Sequence, residues 1–404
     1  MDSTANHEEE GRIQTIHPAT TTFLDTPPSC LEFSPASPEY LVVGTYQLEL
    51  EKPGTAGNQS EGEDLGPIIG KQDRSGNLSI FRLQGDDLNL VRTIPTACAV
   101  LDLHFAPHDP DILAVTGSTG VILLYRLNPQ NLNDLNNFSC LQLYPSSTLI
   151  LSLAWHPSPE KRSTIALSLS DGQVAILDHE DQSPETTLKS VQAHDLEAWT
   201  VAWSPSTPAN GTSVLYSGGD DSALCKDDAD SWPFRSTSSK DVSQDQLLSS
   251  DRKTHGAGVT AILPIESVAG GDEDVLVTGS YDESIRVLVL PSGRRRSRLL
   301  AEKRLGGGVW RLKRLETKLM DEDAGVKLRV LASCMHAGAR VLEIRRSREG
   351  NWAIDVLAKF EEHKSMNYAS DAQPRSNGNG TNVTTIVSSS FYDRKLCVWR
   401  INDE

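Results

Sequence analysis

The stretch "VLVTGSYDESIRVLVL" (residues 275–290) consists of two apolar runs on either side of a short polar turn. Runs of this length, rich in Val, Ile and Leu and bounded by Gly, Ser and Asp, are typical of two β-strands joined by a turn. The same pattern recurs at residues 40–48, 112–127, 164–178, 214–228, 328–344 and 385–400. The chain therefore contains seven copies of one strand–turn–strand unit.

A further apolar strand precedes most of these units and often ends in Ser-Pro or His-Pro, as in "CLEFSP" (30–35), "ILSLAWHP" (150–157) and "AWTVAWSP" (198–205). The compact units lie about 50 residues apart, close to the length of the four-stranded blade of a WD-repeat propeller. We therefore predict an all-β protein, a seven-bladed WD-repeat β-propeller. Its N-terminal strand, "GRIQTIH" (11–17), is expected to be the outermost strand of the last blade, so that no sheet edge stays open.

Polar segments interrupt this regular pattern. Residues 1–10 are acidic and predicted to be disordered, whereas residues 11–404 are predicted to form the single propeller. Loop inserts are expected at about 49–73, 226–253 and 372–381, because these segments are rich in Gly, Ser, Asp and Asn.

A hydrogen-bonded set of side chains is expected to tie each blade together: a His before the first strand, Ser or Thr in the second, Asp at the turn and Trp in the third. In the last unit the set is His363, Ser389, Asp393 and Trp399. The fifth unit has most of it, in His255, Thr278 and Asp282, and the fourth has part, in His194 and Asp221. In the fourth unit, Asp227 stands where the Trp would be.

Composition limits the possible functions. The 404 residues carry a formal charge of −17, which disfavours binding to nucleic acid or to an anionic membrane. The six cysteines lie far apart, without a C-x-x-C pair, so we expect neither disulfides nor a metal site. No apolar run is long enough for a membrane span. We expect a soluble, cytoplasmic monomer.

The turns between second and third strands should lie together on one rim of the ring, near the central channel. Seven residues there or at the starts of first strands are predicted to face a ligand: Tyr46, Gln47, Trp199, Asp220, Tyr281, Trp310 and Tyr392. Aromatic faces beside a carboxylate suit a quaternary ammonium group. The alternative is that these aromatic residues only pack between blades.

The turn "SCMHAG" (333–338) holds two candidate reactive groups. His336 occupies the position of a turn Asp and is either a surface residue or a functional group that titrates near neutral pH. Cys334 suits packing, with a nucleophilic role as the alternative. Because the chain contains no G-x-S-x-G, phosphate-loop or H-E-x-x-H motif, the residues alone support only an interaction scaffold.

Several stretches go beyond a generic repeat, among them "GTYQL" (44–48), "QAHDLEAWTVAW" (192–203), "GGGVWRLK" (306–313), "HKSMNYASD" (363–371) and "SSSFYDRKLCVW" (388–399). In this order the sequence resembles the WD-repeat diphthine methylesterase family, often named diphthine methyltransferase, over nearly the whole ring. The resemblance implies hydrolysis of the methyl ester of diphthine on eukaryotic translation elongation factor two, with water as second reactant and no cofactor. Its trimethylammonium group would fit the aromatic rim.

Ester hydrolysis requires a base or nucleophile and donors for the oxyanion. With the resemblance in mind, we expect His336 or His363 as base and Asp371 or Asp393 as the carboxylate that orients it. Arg311 or the backbone N–H groups of residues 306–308 are the expected donors. Two other functions stay open: a non-catalytic adaptor that binds partner proteins, and a reader of methylated lysine or arginine.

Overall fold

The computed structural model describes residues 13–49, 73–128, 135–179, 186–205, 213–232, 249–265, 274–290, 297–319, 326–375 and 383–402. These residues form seven sheets, antiparallel except for one N-terminal strand, that are arranged as the blades of a β-propeller, which confirms the predicted fold. The first strand of each blade contacts the first strand of the next, and the seventh contacts the first, so the innermost strands surround a central channel. In this part of the chain no helix is both long and apolar enough to cross a membrane.

The strands are numbered in chain order. Two N-terminal strands come first: β1 (Gln14–Ile16) and β2 (Thr20–Phe23). Blade 1 contains β3 (Pro28–Phe33), β4 (Tyr40–Thr45), the short β5 (Gln47–Glu49), β6 (Asp73–Gln84) and β7 (Asp87–Thr96). Blade 2 contains β8 (Val100–Phe105), β9 (Ile112–Gly117), β10 (Val121–Leu127) and β11 (Leu135–Gln142). Blade 3 contains β12 (Ile150–Trp155), β13 (Thr164–Leu169), β14 (Gln173–His179) and β15 (Thr186–Gln192).

Blade 4 contains β16 (Ala198–Trp203), β17 (Val214–Gly219), β18 (Leu224–Asp228) and β19 (Ser249–Asp251). Blade 5 contains β20 (Val259–Ile265), β21 (Asp274–Ser280), β22 (Ser284–Leu290) and β23 (Arg298–Arg304). Blade 6 contains β24 (Arg311–Leu319), β25 (Val326–Ser333), β26 (Ala339–Arg346) and β27 (Trp352–Phe360). Blade 7 contains β28 (Ser370–Ala372), β29 (Val383–Ser390) and β30 (Lys395–Asn402). Within the described ranges, two 3-10 helices span Pro159–Lys161 and Ala229–Ser231.

The core lies between neighbouring blades. The second and third strands are covered on both faces, which is why they read as continuous Val, Ile and Leu runs. All six residues of β4, for example, are buried. Between blades 7 and 1, Leu41 packs with Val387 and Leu396 in one apolar cluster.

Two different N-terminal strands complete blades 6 and 7. β2 pairs antiparallel with β30, from Thr20 opposite Val398 to Phe23 opposite Lys395, and it closes the last blade. β1 pairs in parallel with β27 and adds a fifth strand to blade 6. The prediction that residues 11–17 close blade 7 is therefore wrong. Ile16 is buried in the core shared by blades 6 and 7, and the chain then crosses to the edge of blade 7.

The blade-tying hydrogen bonds are present in blades 4, 5 and 7. His194 lies 2.9 Å from Ser217 Oγ and 3.0 Å from Asp221 Oδ1, and His255 lies 2.8 Å from Thr278 Oγ1. In blade 7, Ser388 replaces the predicted Ser389: its Oγ lies 2.8 Å from His363 Nε2 and 3.0 Å from Trp399 Nε1. Because successive residues of a strand point to opposite faces, the Ser389 hydroxyl instead donates to the Ala369 carbonyl.

The predicted inserts fall mainly outside the described residues, as do residues 1–10. Both ends of the predicted insert 226–253 belong to blade 4, because β18 extends to Asp228 and β19 supplies the fourth strand. Asp227, which stands in the Trp position, is 3% exposed. Burial raises the pKa of Asp227 to about 7.

Candidate ligand-binding site at the channel mouth

A β-bulge near the start of the innermost strands shapes the channel mouth. In blade 4 the pairing skips Trp199 between Ala198 and Thr200, and blades 1, 2, 3 and 5 show the same shift. In blade 6, Trp310 N–H donates to the Ser333 carbonyl while Arg311 also pairs with Ser333. A bulge places two residues opposite one and redirects a side chain. Trp199 and Trp310 thus occupy equivalent positions at one end of the channel.

Three aromatic rings from blades 4, 5 and 6 meet at this mouth. The ring centroids of Trp199 and Trp310 lie 5.5 Å apart, those of Trp199 and Tyr281 6.0 Å, and those of Tyr281 and Trp310 5.8 Å. The Trp199 ring is steeply inclined to both neighbours, at 62° to Trp310 and 83° to Tyr281. All three side chains are half-buried. The structure thus brings together three of the residues that the sequence predicts to face a ligand.

The aromatic row continues into blades 7 and 1. Tyr368 lies 5.2 Å from Trp310 and 5.4 Å from Phe391, measured between ring centroids. Phe391 in turn lies 6.2 Å from Tyr46 and 5.0 Å from Tyr392. We call these seven residues the aromatic mouth: Tyr46, Trp199, Tyr281, Trp310, Tyr368, Phe391 and Tyr392.

Tyr368 and Phe391 were not among the residues that the sequence predicts to lie at the mouth. Phe391, not Tyr392, occupies the turn position of Tyr281, because Phe391 N–H donates to Met366 O as Tyr281 N–H does to Gly258 O. Tyr392 is one residue further along and 71% exposed. The turn of blade 7 is one residue longer than that of blade 5, and the run of three serines before it conceals the register.

A carboxylate lies against this cluster. Trp199 Nε1 donates to Asp220 Oδ1 over 3.0 Å. Burial, reinforced by the Asp220 charge, raises the pKa of Tyr281, so its phenol stays neutral. Gly258 leaves room for the Asp220 carboxylate, because a Cβ at this position would lie 2.8 Å from Asp220 Oδ1. Ring faces beside a carboxylate form an arrangement that binds quaternary ammonium cations.

Below the mouth, charged side chains of the innermost strands cross the channel. Arg311 forms a two-point ion pair with Asp102, at 2.9 and 3.2 Å. Arg311 therefore lies in the channel and not on the rim. The described residues contain no group of three or more His, Cys, Asp or Glu side chains that could hold a metal ion.

A second charged group lies deeper, where Lys313 Nζ is 3.1 Å from Asp371 Oδ1 and 3.3 Å from Glu32 Oε1. His104 Nδ1 is 3.1 Å from Glu32 Oε2. Burial opposes ionisation of Glu32, but Lys313 and His104 outweigh it and lower the pKa of Glu32 to about 2. Burial likewise opposes the charged imidazole, but Asp102 and Glu32 raise the pKa of His104. Burial raises the pKa of Asp371.

The four predicted catalytic residues do not meet. His336 is exposed on the turn of blade 6. His363 is buried within blade 7, and this burial lowers its pKa to about 3. Asp393 accepts hydrogen bonds from Lys364 N–H and the Ser390 hydroxyl, whereas Asp371 lies in the channel. The expected His–Asp pair at the rim is therefore absent among the described residues, because the blade's own hydrogen bonds engage His363.

Met335, and not His336, lies beside the aromatic mouth. Its backbone has φ 42°, an uncommon value for a residue with a side chain, and its carbonyl accepts the Asn367 N–H of the next blade. A Cβ on Gly308 would lie 2.7 Å from Met335 Sδ, so this glycine makes room for the thioether. Cys334 is fully buried and burial raises its pKa to about 12, which agrees with the packing interpretation.

Gln47 lies at the start of β5, in the short extension of blade 1. Its Nε2 donates to the Leu48 carbonyl over 3.2 Å. It pairs with Ser75, and the side chain is half-buried. Gln47 thus follows Tyr46 at the rim, but no described contact joins it to the aromatic mouth.

Comparisons with known proteins agree with this architecture. The family model described as the anaphase-promoting complex subunit 4 WD40 domain matches residues 103–206. A chain from the crystal structure of the mitotic checkpoint complex superposes with a TM-score of 0.60 at 14% identity, covering 97% of this chain and 94% of that one. Saccharomyces cerevisiae Sqt1 superposes with a TM-score of 0.60 at 12% identity, covering 96% and 100%. At these identities the likeness concerns the fold alone.

Curated relatives are similar over almost the whole chain. Diphthine methyltransferase of Schizosaccharomyces pombe is 30% identical, with 95% of this chain and 98% of the relative covered. The Saccharomyces cerevisiae protein of the same name is 26% identical over 92% and 95%. The Homo sapiens protein is 29% identical over 82% of this chain and 68% of its own length. The chain belongs to the diphthine methyltransferase family.

Proposed function

We propose that this protein hydrolyses the methyl ester of diphthine on eukaryotic translation elongation factor two. The products are diphthine and methanol, and the step belongs to diphthamide biosynthesis. Family membership supports the substrate, since the relatives carry the name diphthine methyltransferase. The observation that carries the proposal is the triangle of Trp199, Tyr281 and Trp310 with Asp220 beside it.

A trimethylammonium group has no N–H, so hydrogen-bond acceptors cannot hold it through directed bonds. Aromatic faces attract it through their quadrupoles, and a nearby carboxylate adds a charge interaction. The substrate of the proposed reaction carries such a group close to its ester. Binding at the triangle would place the ester over the channel entrance, near Met335 and above the Arg311–Asp102 pair in the channel.

The reaction consumes one water per ester. The water oxygen adds to the carbonyl carbon, the bond from that carbon to the methoxy oxygen breaks, and the methoxy group leaves as methanol with a proton. A base must take the proton of the water, and donors must stabilise the tetrahedral oxyanion. We propose His336 as the base, although its exposed side chain follows Met335 on the blade 6 turn and lies outside the aromatic mouth, and we propose Arg311 in the channel as the donor. In this proposal His363 and Asp393 hold blade 7 together.

We infer hydrolysis and not methyl donation, although the relatives are named methyltransferases. Ester cleavage needs only water as the second reactant. The described residues form propeller blades and contain no doubly wound α/β sheet of the kind that commonly binds nucleotide-derived cofactors. We further propose that the protein acts as a monomer in the cytoplasm, without nucleic acid.

The test uses purified protein and elongation factor two that carries the diphthine methyl ester. The modified peptide is followed by mass spectrometry, and methanol is assayed in parallel. Loss of one methyl group with release of methanol supports the proposal. Binding without a change in mass contradicts it and favours a reader or adaptor, which the aromatic mouth would also suit.

A further inference from the structure

We propose that Asp102 is a positioning residue, which holds the Arg311 guanidinium across the channel beneath the aromatic mouth so that it faces the ester. This inference rests on the proposed function. Besides the aromatic triangle, the site would then require Asp102 of blade 2, which is held by blade 3, to orient Arg311 of blade 6.

The contact between the two residues has the geometry of a directed pair. Arg311 Nη2 lies 2.9 Å from Asp102 Oδ1, and Nη1 lies 3.2 Å from Oδ2. Two parallel bonds fix the plane of a guanidinium, which a single point contact does not. The orientation of Arg311 is therefore set by Asp102.

Asp102 is itself fixed. Its side chain is buried at 1% residue exposure, and its carboxylate accepts the N–H of Leu103 and the N–H of Leu153 on the next blade, each at 3.0 Å. His104 Nε2 lies 3.5 Å from Oδ1. A carboxylate that is held by backbone groups of two blades is a rigid support for a flexible arginine.

Arg311 directly follows Trp310, and at the bulge both residues lie opposite Ser333. One residue of strand corresponds to about 3.3 Å, so the Arg311 backbone lies one short step along the innermost strand from that of Trp310. A guanidinium has five N–H donors, and the pair with Asp102 uses two. The other three make no hydrogen bond to any residue in the part of the chain that the structure describes.

These remaining donors suit the oxyanion of ester hydrolysis. Charge develops on the carbonyl oxygen when water adds, and a donor that is already oriented stabilises this charge without reorganisation. The same donors would bind the carboxylate of the product. Asp102 touches neither the substrate nor the reacting atoms, so its effect should appear in kcat and not in ground-state binding.

The test compares R311A, D102N and the double variant R311A/D102N, with methanol release from the ester-bearing elongation factor as the assay. Removing one oxyanion donor typically lowers kcat about 100-fold. We expect a loss of that order in R311A, a loss of at least about 10-fold in D102N with KM changed less than about 3-fold, and no further loss in the double variant.

Chemical rescue separates positioning from a purely structural role. Added guanidinium ion at millimolar concentration should restore part of the activity of R311A, because Asp102 can hold the free ion in place. It should not restore the double variant, which lacks the anchor. R345Q is the matched control: it breaks an ion pair with Asp355 on the outer strands of the same blade and should keep normal kcat.

The outcomes are distinguishable. A wild-type protein that releases no methanol overturns the proposed function. Normal wild-type turnover with D102N within twofold of it overturns the positioning role alone, as does equal rescue of R311A and the double variant by guanidinium. Rescue confined to R311A, with the two single variants non-additive, supports the inference.

Discussion

At the residue scale, the same side-chain type serves different purposes according to its depth. Trp399 and His363 are buried in blade 7 and bind one serine hydroxyl, whereas Trp199 and Trp310 are half-buried at the channel mouth. The sequence distinguishes them by position in the repeat, since Trp399 lies in a third strand and Trp199 at the start of a first strand. The structure places the two tryptophans at first-strand starts at the mouth.

The aromatic triangle should determine the affinity for a trimethylammonium group. Replacing Trp310 by Ala removes one ring and its contacts with Trp199, Tyr281 and Tyr368. A desolvated cation–ring contact contributes about 2 kcal/mol, so we expect KM to rise about 30-fold with kcat changed far less. The measurement is steady-state hydrolysis of the diphthine ester peptide. W352A, on the outer strand of the same blade, is the matched control.

An alternative result has a clear meaning. If W310A and W352A raise KM equally, the effect comes from blade packing and not from the cage. A dimethylamino analogue of the substrate should also bind wild-type protein less tightly, and should lose little further affinity in W310A.

His336 is the proposed base and His363 the proposed blade residue, and a paired experiment should distinguish these two roles. H336A should abolish methanol release and keep the wild-type melting temperature, because the side chain is exposed. H363A should lower the free energy of unfolding by about 1–3 kcal/mol, because it leaves the buried Ser388 hydroxyl, which also accepts from Trp399 Nε1, without its histidine partner. Methanol assays and thermal unfolding on both variants check this. Near-normal turnover of H336A would remove it from the mechanism.

At the element scale, the N-terminal strands act on two blades. β1 lengthens blade 6, and β2 supplies the outer strand of blade 7. The alternation of "GRIQTIH" predicted a strand correctly, but it could not say which edge that strand would join. Pairing in parallel with β27 depends on the three-dimensional position of blade 6 next to blade 7, which no local pattern contains.

Truncation should separate the contributions of β1 and β2 to the stability of the propeller. A chain without residues 1–17 loses the buried Ile16, which costs about 1.5–3 kcal/mol of unfolding free energy. A chain without residues 1–23 also exposes the β30 edge and should melt at a clearly lower temperature and aggregate more readily. Differential scanning calorimetry with light scattering measures both effects. Equal melting temperatures for the two truncations would show that β2 does not close the ring.

Blade 4 carries the buried carboxyl of Asp227 where the repeat usually has Trp. This carboxyl should make the free energy of unfolding depend on pH. Because burial raises the pKa of Asp227 to about 7, the native state keeps a proton that the unfolded chain releases above its ordinary pKa of 3.8. Stability should fall between about pH 4 and 7, and D227N should be more stable than wild type at pH 8 by about 2–4 kcal/mol. At pH 4 the two proteins should be nearly equal.

Urea unfolding at both pH values measures this difference. D25N, a change of an exposed carboxyl, is the matched control and should not alter the pH profile. A constant difference in unfolding free energy between D227N and wild type from pH 4 to pH 8 would contradict a protonated Asp227 in the native state.

At the scale of the whole molecule, the period of the repeat predicts seven blades, and the position of each turn predicts which residues share a rim. The channel charges were not predicted as a group. Glu32, His104 and Lys313 lie on three different innermost strands, and each looks unremarkable beside its sequence neighbours. Only ring closure brings them together, so a pattern within one repeat carries no sign of them. The predicted register of blade 7 was wrong for a local reason, because the turn of this blade is one residue longer than that of blade 5.

The charged group in the channel links blades that are remote in sequence, and it should make the stability of the ring sensitive to acid. Glu32 of blade 1 contacts His104 of blade 2 and Lys313 of blade 6. Because these cations lower the pKa of Glu32 to about 2, its ionised form stabilises the native state above its ordinary pKa of 4.5. This contribution, about 3 kcal/mol, should disappear as the pH falls from 4.5 towards 2. Urea midpoints of wild type and E32Q at pH 6, 4.5 and 2.5 should therefore converge as the pH falls. Parallel curves for the two proteins would show that the native charge on Glu32 contributes nothing to holding the ring closed.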